Sequence, residues 1–354
     1  MTFNLSNYTF DFPESLIAHH PLSDRTRSRL MVLNKYKPTI AHRVFTDLPE
    51  ILNSNTVIVL NESRVLPARL YCRKPTGGVV EVLLVRPIEQ GRWLALGQPI
   101  KGLRVGMSLK LLFRDSEETS DETITVVRLE KGRHFEVELP AVQDMETWLK
   151  PYGIMPLPLY IKREHAELQD ENRYQTIFAR QLGSVAAPTA GLHFDESTLA
   201  QLKAKGVEIY KVCLHVGPGT FLSVKTEDIR QHKLHSEYYE VSEPTYQGLK
   251  KAKHEGKSIL CVGTTTLRVL ETLFQQPTPA LQGFTDLYIY PGFSFKAADA
   301  LLTNFHQPQS SLLILVSTFA GREFILRAYE EAIAQKYRLF SYGDCMLILG
   351  NKTI

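Results

Sequence analysis

Three histidines, His193, His215 and His306, stand in loops whose composition suits chemistry on a small molecule. The first closes Gly183-Ser-Val-Ala-Ala-Pro-Thr-Ala-Gly-Leu-His-Phe194, which contains no Lys, Arg, Asp or Glu. The second opens His215-Val-Gly-Pro-Gly-Thr-Phe221, and the third lies in Leu302-Thr-Asn-Phe-His-Gln-Pro-Gln-Ser-Ser311. An imidazole with its pKa near roughly 6.5 moves protons at neutral pH. The same ring also serves as a hydrogen-bonded core residue, and spacing does not rank the three. Small residues let a ligand approach the backbone closely. After His193, Asp195 is placed to cap a helix, Leu199 and Leu202 share a face, and Gly206 is a stop. A loop emptying into a helix N-terminus is therefore expected there, a place that favours anions. A second such terminus is expected where the strand Ser258–Val262 breaks at Gly263-Thr-Thr-Thr266 before a helix through Phe274. It lacks the Lys and Gly spacing of a phosphate-binding P-loop. Gly217 and Gly219 begin like a dinucleotide fingerprint, but Leu222 replaces its third Gly and no helix follows.

The elements that must hold these loops fall into two textures. Leu30–Leu33, Thr56–Leu60, Val207–Val216, Ser258–Val262, Asp286–Tyr290 and Cys345–Leu349 read as strands, and Glu323–Ala334 as a helix. Between them, Ala68–Cys72, Val79–Arg86, Trp93–Leu96, Ser108–Phe113, Thr123–Leu129 and Phe135–Leu139 are six short β-rich runs without a helix. Such a series reads as a small barrel or sandwich. The acidic stretch Asp115–Glu122 reads as a solvent loop, and Pro151–Tyr160 as an extended linker. The expected layout is an α/β domain of residues 1–63 and 149–354 interrupted by a β module of residues 64–148. Arg25, Arg27 and Arg29 alternate and would share one face of an extended segment, or decorate a solvated turn.

Composition narrows the function classes. A chain of 354 residues suggests two domains at roughly 150 residues each. A net charge of +3 permits a nucleic-acid partner without demanding one. Cys72, Cys213, Cys261 and Cys345 are scattered and form no C-x-x-C, so neither a zinc site nor a redox pair is indicated, and a reducing, cytoplasmic setting is expected. The N-terminus has no signal-peptide pattern, and the longest apolar run, Leu312–Val316, is far short of a membrane span. No metal site and no obligate protein partner are evident.

Several blocks together carry a resemblance: Asn61-Glu-Ser-Arg-Val-Leu-Pro-Ala-Arg-Leu70, Gly183–Phe194, His215–Phe221, Val262-Gly-Thr-Thr-Thr-Leu-Arg268, Thr303-Asn-Phe-His306 and Phe340-Ser-Tyr-Gly-Asp344. From Phe10 to Leu349 the sequence resembles the S-adenosylmethionine:tRNA ribosyltransferase-isomerases of bacterial queuosine synthesis. Glu62-Ser63 stands where an Asp-Thr type pair is expected, and Val79 where a basic residue is common. The resemblance implies a large mixed α/β domain with an inserted Greek-key β-barrel. It implies ribosyl transfer from S-adenosylmethionine, as co-substrate, to the aminomethyl group of a 7-deazaguanine at the tRNA wobble position. Epoxyqueuosine in tRNA, adenine and methionine are the products.

That reaction needs a base, a donor near the departing adenine, and a grip on the methionine end. His193, His215 and His306 are the proton-transfer candidates. Thr264, Thr265 and Thr266 are candidates for the carboxylate, and Asp344 or Glu271 for the amine, although Glu271 also reads as a solvated helical charge. Thr189, Gly191, Gly217, Gly219 and Thr220 would line the site, with Arg268, Asn304 and Ser310. Arg64, Arg69, Arg73 and Lys74 are candidate phosphate contacts. A conventional methyltransferase would want a Gly-rich loop with an acidic partner about 20 residues on, which is missing. A noncatalytic RNA-binding module would not need so many small-residue loops outside the barrel.

Overall fold

Aliphatic and β-branched runs bounded by Gly, Pro, Asn and Asp become strands because those side chains fill a pleated, buried surface. In the computed structural model, which describes residues 3–89, 91–141, 143–163, 169–221 and 223–350, apart from the side chains of Thr220 and Phe221, they build a large open sheet, a closed barrel and a two-stranded pair. The chain starts with β1 (Arg29–Asn34), β2 (Thr39–Val44), helix α1 (Leu48–Ile51), β3 (Thr56–Asn61) and β4 (Ser63–Val65).

Six strands then form a closed barrel: β5 (Arg69–Arg73), β6 (Val79–Glu89), β7 (Arg92–Gln98), β8 (Ser108–Leu112), β9 (Thr119–Leu129) and β10 (His134–Glu138). They close in the order β10-β7-β6-β5-β8-β9, each neighbouring pair antiparallel. Val80, Val82 and Leu84 alternate inward along β6 and meet Leu70, Leu109 and Phe135, all fully buried. This period of two is what made the strands legible. β9 starts earlier than expected, inside the acidic stretch, because Thr119 pairs with Leu112 and Ser120 Oγ donates to Leu111 O.

After the barrel come α2 (Met145–Leu149), α3 (Asp170–Arg173), β11 (Gln181–Ser184), α4 (Glu196–Ala204), β12 (Glu208–Leu214), β13 (Glu237–Glu240), α5 (Glu243–His254), β14 (Ser258–Val262), α6 (Thr264–Phe274), β15 (Gln282–Thr285), β16 (Ala300–Asn304), α7 (Ser311–Ala320), α8 (Arg322–Ala334) and β17 (Cys345–Leu349). Among the described residues the main sheet runs β15-β13-β12-β3-β14-β16-β17-β1-β2, and β4 pairs with β11 apart from it. β12, β3, β14 and β16 are parallel, so their C-terminal ends share one edge. β17 runs antiparallel to β16 and starts at that edge, Cys345 opposite Asn304. Every residue of β3, β14 and β16 is buried, as for parallel strands covered on both faces.

One expectation is corrected here and one open alternative is decided. Asp286–Tyr290 is not a strand; the edge strand β15 precedes it. The carbonyl of Leu287 accepts from Arg268 Nε at 2.9 Å, which commits it to a side chain instead of a ladder. Nor do Arg25, Arg27 and Arg29 share an extended face, since Arg25–Arg27 is a 3-10 turn. Arg25 donates to Gln175 O, whereas the Arg29 guanidinium lies 3.7 Å from the Tyr337 ring centroid.

Candidate active site

Loops that leave the C-terminal ends of parallel strands commonly frame the binding crevice of an open α/β sheet. Here they frame a cleft whose void, counted out to open solvent, is ≈ 710 Å³. Ala187–Ala190 follow β11, Val216 follows β12, Gly263–Thr265 follow β14, and Thr303–Gln307 leave β16. Ser223, Ser310, Leu312, Tyr160, Phe340 and Ser341 complete the wall. None of these lining side chains carries a formal charge, with His306 neutral.

Gly263 reaches the start of α6 with φ +89°, a conformation that favours glycine, and no side chain caps the helix. The first N–H groups of α6 therefore remain open to a ligand beside Thr264 and Thr265. Asn61 locks this corner. Its Nδ2 donates to Leu214 O at 3.1 Å and Thr265 Oγ1 at 3.3 Å, and its Oδ1 accepts from Leu214 N and Ser63 N. Thr266 Oγ1 instead donates to Val262 O at 2.8 Å, inside the helix turn.

The three histidines separate. His306 lines the cleft. Its Nε2 lies 2.9 Å from Thr303 Oγ1, its backbone N–H donates to Tyr329 Oη, and Nδ1 has no hydrogen-bond partner among the described residues. Burial pushes its pKa down to about 3. His193 lies behind the wall, 4 % exposed, its pKa also pushed down to about 3 by burial, with Arg25 and Arg338 adding to the effect. Asn304 fixes its tautomer. Asn304 Nδ2 faces Phe340 O at 3.1 Å and His193 Nε2 at 3.3 Å, so Nε2 accepts. Nδ1 then carries the proton and donates to Ser28 Oγ at 2.9 Å, which donates to Arg25 O. Asn304 Oδ1 is left buried without a partner among the described residues. His215 is outside the cleft, its ring against Gly183 and the Cys213 thiol, and burial lowers its pKa too.

The remaining candidates are divided similarly. Thr189, Thr264, Thr265, Asn304, Ser310 and His306 share the cleft. Ser310 Oγ is engaged with Gln307 O and Leu313 N. Gly191 serves packing: a Cβ there would come within 2.8 Å of Phe178 and Thr176. The N-terminus of α4 faces no cleft-lining residue and is capped by Asp195, which accepts from Thr198 N at 2.7 Å, so the anion site expected there is corrected. Gly219 and Arg268 border a second, smaller cavity. Arg268 pairs there with buried Glu237, which accepts from Gly217 N at 2.7 Å. The side chain of Thr220 lies outside the described residues. Asp344 accepts from Arg29 N and Arg338 N, both at 2.8 Å, and burial raises its pKa, so it ties strand ends together instead of facing a ligand. Among the described residues no group of three or more His, Cys, Asp or Glu could hold a metal ion, and no helix is long and apolar enough to cross a membrane.

The family model described as a queuosine biosynthesis protein matches residues 5–348. The chain belongs to this family. It is 46% identical over 348 residues to an S-adenosylmethionine:tRNA ribosyltransferase-isomerase of Symbiobacterium thermophilum, covering 98% of this chain and 99% of that one. A protein of the same name from Macrococcus caseolyticus is 45% identical over 348 residues, with 98% and 99% covered. The crystal structure of an S-adenosylmethionine tRNA ribosyltransferase from Thermotoga maritima superposes with a TM-score of 0.55 at 34% identity, over 97% of this chain and all of that one.

In this member of the queuosine biosynthesis family, sequence reasoning missed the aromatic part of the wall. Tyr160 and Phe340 have ring centroids 5.0 Å apart, and Tyr160 Oη is hydrogen-bonded to Ser341 Oγ. Phe340 adopts φ +71°, strained for a bulky residue, in the turn whose carbonyl holds Asn304. The proline-rich run ending at Tyr160 and the Phe340–Asp344 block were the available signals, but nothing local joins them. Glu271 is fully buried, neither solvated nor in the cleft. It accepts from the N–H groups of Lys296, Ala297 and Ala298 at 2.8, 3.0 and 3.0 Å. Charged acceptors in such bonds are worth about 1.5–3 kcal/mol each, so Glu271→Ala should destabilise the fold by at least about 3 kcal/mol, read as a lower urea midpoint at unchanged m-value. A midpoint within error of the parent would show that the segment at 296–298 is held by other contacts.

Proposed function

We infer that the chain is an S-adenosylmethionine:tRNA ribosyltransferase-isomerase. It joins the ribosyl group of the co-substrate to the aminomethyl nitrogen of a 7-deazaguanine at the tRNA wobble position. The bonds from the ribosyl group to adenine and to sulfur and its ring carbon–oxygen bond break, while a carbon–nitrogen bond to the amine, a carbon–carbon bond that recloses the ring and the carbon–oxygen bond of the epoxide form. The amine and the carbon next to sulfur each lose a proton, one of which leaves on adenine, and epoxyqueuosine-tRNA and methionine are the other products. The observation that carries this reading is the uncharged cleft at the C-terminal strand ends, in which the open N-terminus of α6, a neutral His306 and the Tyr160–Phe340 wall converge. A sulfonium can lie against aromatic faces without being neutralised. The N–H groups of α6 beside Thr264 and Thr265 suit the methionine carboxylate. His306 Nδ1 takes the proton lost next to the sulfonium. With Nε2–H donating to Thr303 Oγ1, its lone pair is available throughout the neutral range, and the neutral ring adds no like charge beside the sulfonium. Asn304 Oδ1 offers an acceptor to a substrate N–H, and His193 keeps that amide in place from behind. The cytoplasm, where four buried thiols stay reduced, is the setting.

Adenine release tests the reading: the protein, S-adenosylmethionine and a stem-loop carrying the aminomethyl deazaguanine should yield free adenine in proportion to modified RNA. Adenine absent under every condition would favour an RNA-binding role without catalysis.

The basic residues proposed for RNA are already partly engaged. Arg64 pairs bidentately with Glu146, Arg69 lies 3.6 Å from Glu81, Arg73 donates to Gly77 O and Glu117 O, and Lys74 to Lys101 O. These partners are surface groups that a phosphate can replace. Neutralising one true contact should lower the salt slope of log affinity by about 0.7–0.9. Unchanged affinity and slope at all four would put the RNA on another face.

A further inference from the structure

Three rings line up across the end of the main sheet. His215 follows β12, Tyr238 is on β13 and Phe284 is on the edge strand β15. Tyr238 is opposite Phe284 in the antiparallel ladder, and His215 N donates to Tyr238 O at 2.9 Å, so the three fall in one cross-strand row. The His215 and Tyr238 rings are nearly parallel, planes 16° apart and centroids 5.9 Å apart, and Phe284 stands edge-on to Tyr238 at 5.6 Å. The inner end of the row rests on Gly183 (φ +151°), where a Cβ would come within 2.7 Å of the His215 ring. At the outer end Phe284 is 58% exposed, and the barrel strand β6 sends Arg86 over it, guanidinium 5.9 Å from the ring centroid. The row and the cleft share the C-terminal end of β12: Val216, the residue after His215, lines the cleft and is pinned by Ser184 Oγ and Val185 N.

We propose that the row His215–Tyr238–Phe284, with Arg86, is a stacking platform for unpaired nucleobases of the RNA substrate. The proposal rests on the ribosyltransferase reading and adds where the RNA loop lies. A base that enters the cleft must leave its stack, and its neighbours then need π-faces beside the cleft mouth. Single-stranded loops are bound in this way, bases on aromatic rings and guanidinium planes. Every base has such a face, so the platform is sequence-tolerant. Burial keeps the His215 ring neutral, which adds no repulsion when it stacks. In the next row Glu240 is opposite Gln282, so the phosphates run on the Arg86 side. The competing occupant is a second copy of the chain, because β15 is an edge strand, although four residues give it little to pair with.

The test uses Phe284→Ala, Tyr238→Ala, their double variant, Phe284→Trp and Arg86→Ala in the full chain, after a melting check. Fluorescence anisotropy with the modified anticodon stem-loop reads RNA affinity, and calorimetry reads S-adenosylmethionine affinity. Each Ala variant at a ring should lose about 5- to 150-fold in RNA affinity, raise KM for RNA far more than it changes kcat, and leave co-substrate affinity as it was. Phe284→Trp should bind RNA like the parent, and Arg86→Ala should lower the salt slope by about 0.7. Parent-like RNA affinity in a well-folded double variant overturns the platform, as does a concentration-dependent dimer that Phe284→Ala dissolves. If the unaltered protein releases adenine while the double variant binds RNA normally, the platform alone is wrong. If the unaltered protein releases none, the ribosyltransferase reading falls and takes the platform with it.

Discussion

Replacing His306 with Ala should cost about 10²–10⁴ in turnover while S-adenosylmethionine binding survives largely intact. His306 is the one histidine of the three candidates that lines the cleft, and its Nδ1 has no partner among the described residues. Because burial holds its pKa down at about 3, the rate should show no loss of a basic group on acidification from pH 8 to pH 6 that is due to this ring. Single-turnover adenine release and equilibrium binding of the co-substrate separate the possibilities. Weakened binding with preserved turnover of the residual complex would make His306 a ligand contact instead. A parallel His193→Ala variant is expected to act through Asn304, whose Nδ2 it accepts from, and therefore to disturb substrate affinity together with rate. A larger loss of rate at His193 than at His306, with binding intact, would reverse the assignment.

Acidification from pH 7 to pH 5 should remove about 4 kcal/mol of folding stability. His193 and His306 both have folded pKa values lowered from 6.5 to about 3. Above the unfolded value neither state binds the proton, and the stability is fully present. Below it the unfolded chain takes up protons that the folded chain refuses. Each ring then costs about 1.4 kcal/mol per pH unit, or about 2 kcal/mol by pH 5, and the loss continues down to the folded pKa. His215 and His232 are lowered as well and add to it, whereas Asp344, raised by burial, works in the opposite direction at lower pH. Urea denaturation at pH 7.5, 6 and 5 measures the slope, and His306→Gln should remove about one proton from it. A flat profile between pH 7 and 5 would mean that neither ring is held neutral.

The alternation of Val80, Val82 and Leu84 and its counterparts announced the barrel strands, because a period of two is a local property. Strand–loop–helix punctuation likewise marked β14 and α6 and put small, hydroxyl and histidine residues at strand ends. The limits of the inserted unit at residues 64 and 148 remain our proposal. Composition could not tell His193 from His306, which share one local texture. Ser28 and Asn304 hold the first from 165 and 111 residues away, Asn304 being fixed in turn by the Phe340 carbonyl, while the second is left facing the cleft. Glu271 read as a helical surface charge because nothing nearby reveals that three backbone N–H groups from 296–298 come to meet it. Asp286–Tyr290 had strand propensity, yet Arg268 claims the Leu287 carbonyl. Tyr160 and Phe340 become one wall only when segments 180 positions apart are folded together. The sequence by itself determined the six barrel strands together with β3, β12, β14, β17, α6 and α8 and the composition of the loops at strand ends, since periodicity, capping and turn chemistry act over a few residues, whereas β13, α5, β15, β16 and α7 went unread. Which side chains turn into the cleft and which lock its walls was decided by the tertiary structure, because a buried polar group takes its orientation from whichever distant partner satisfies it.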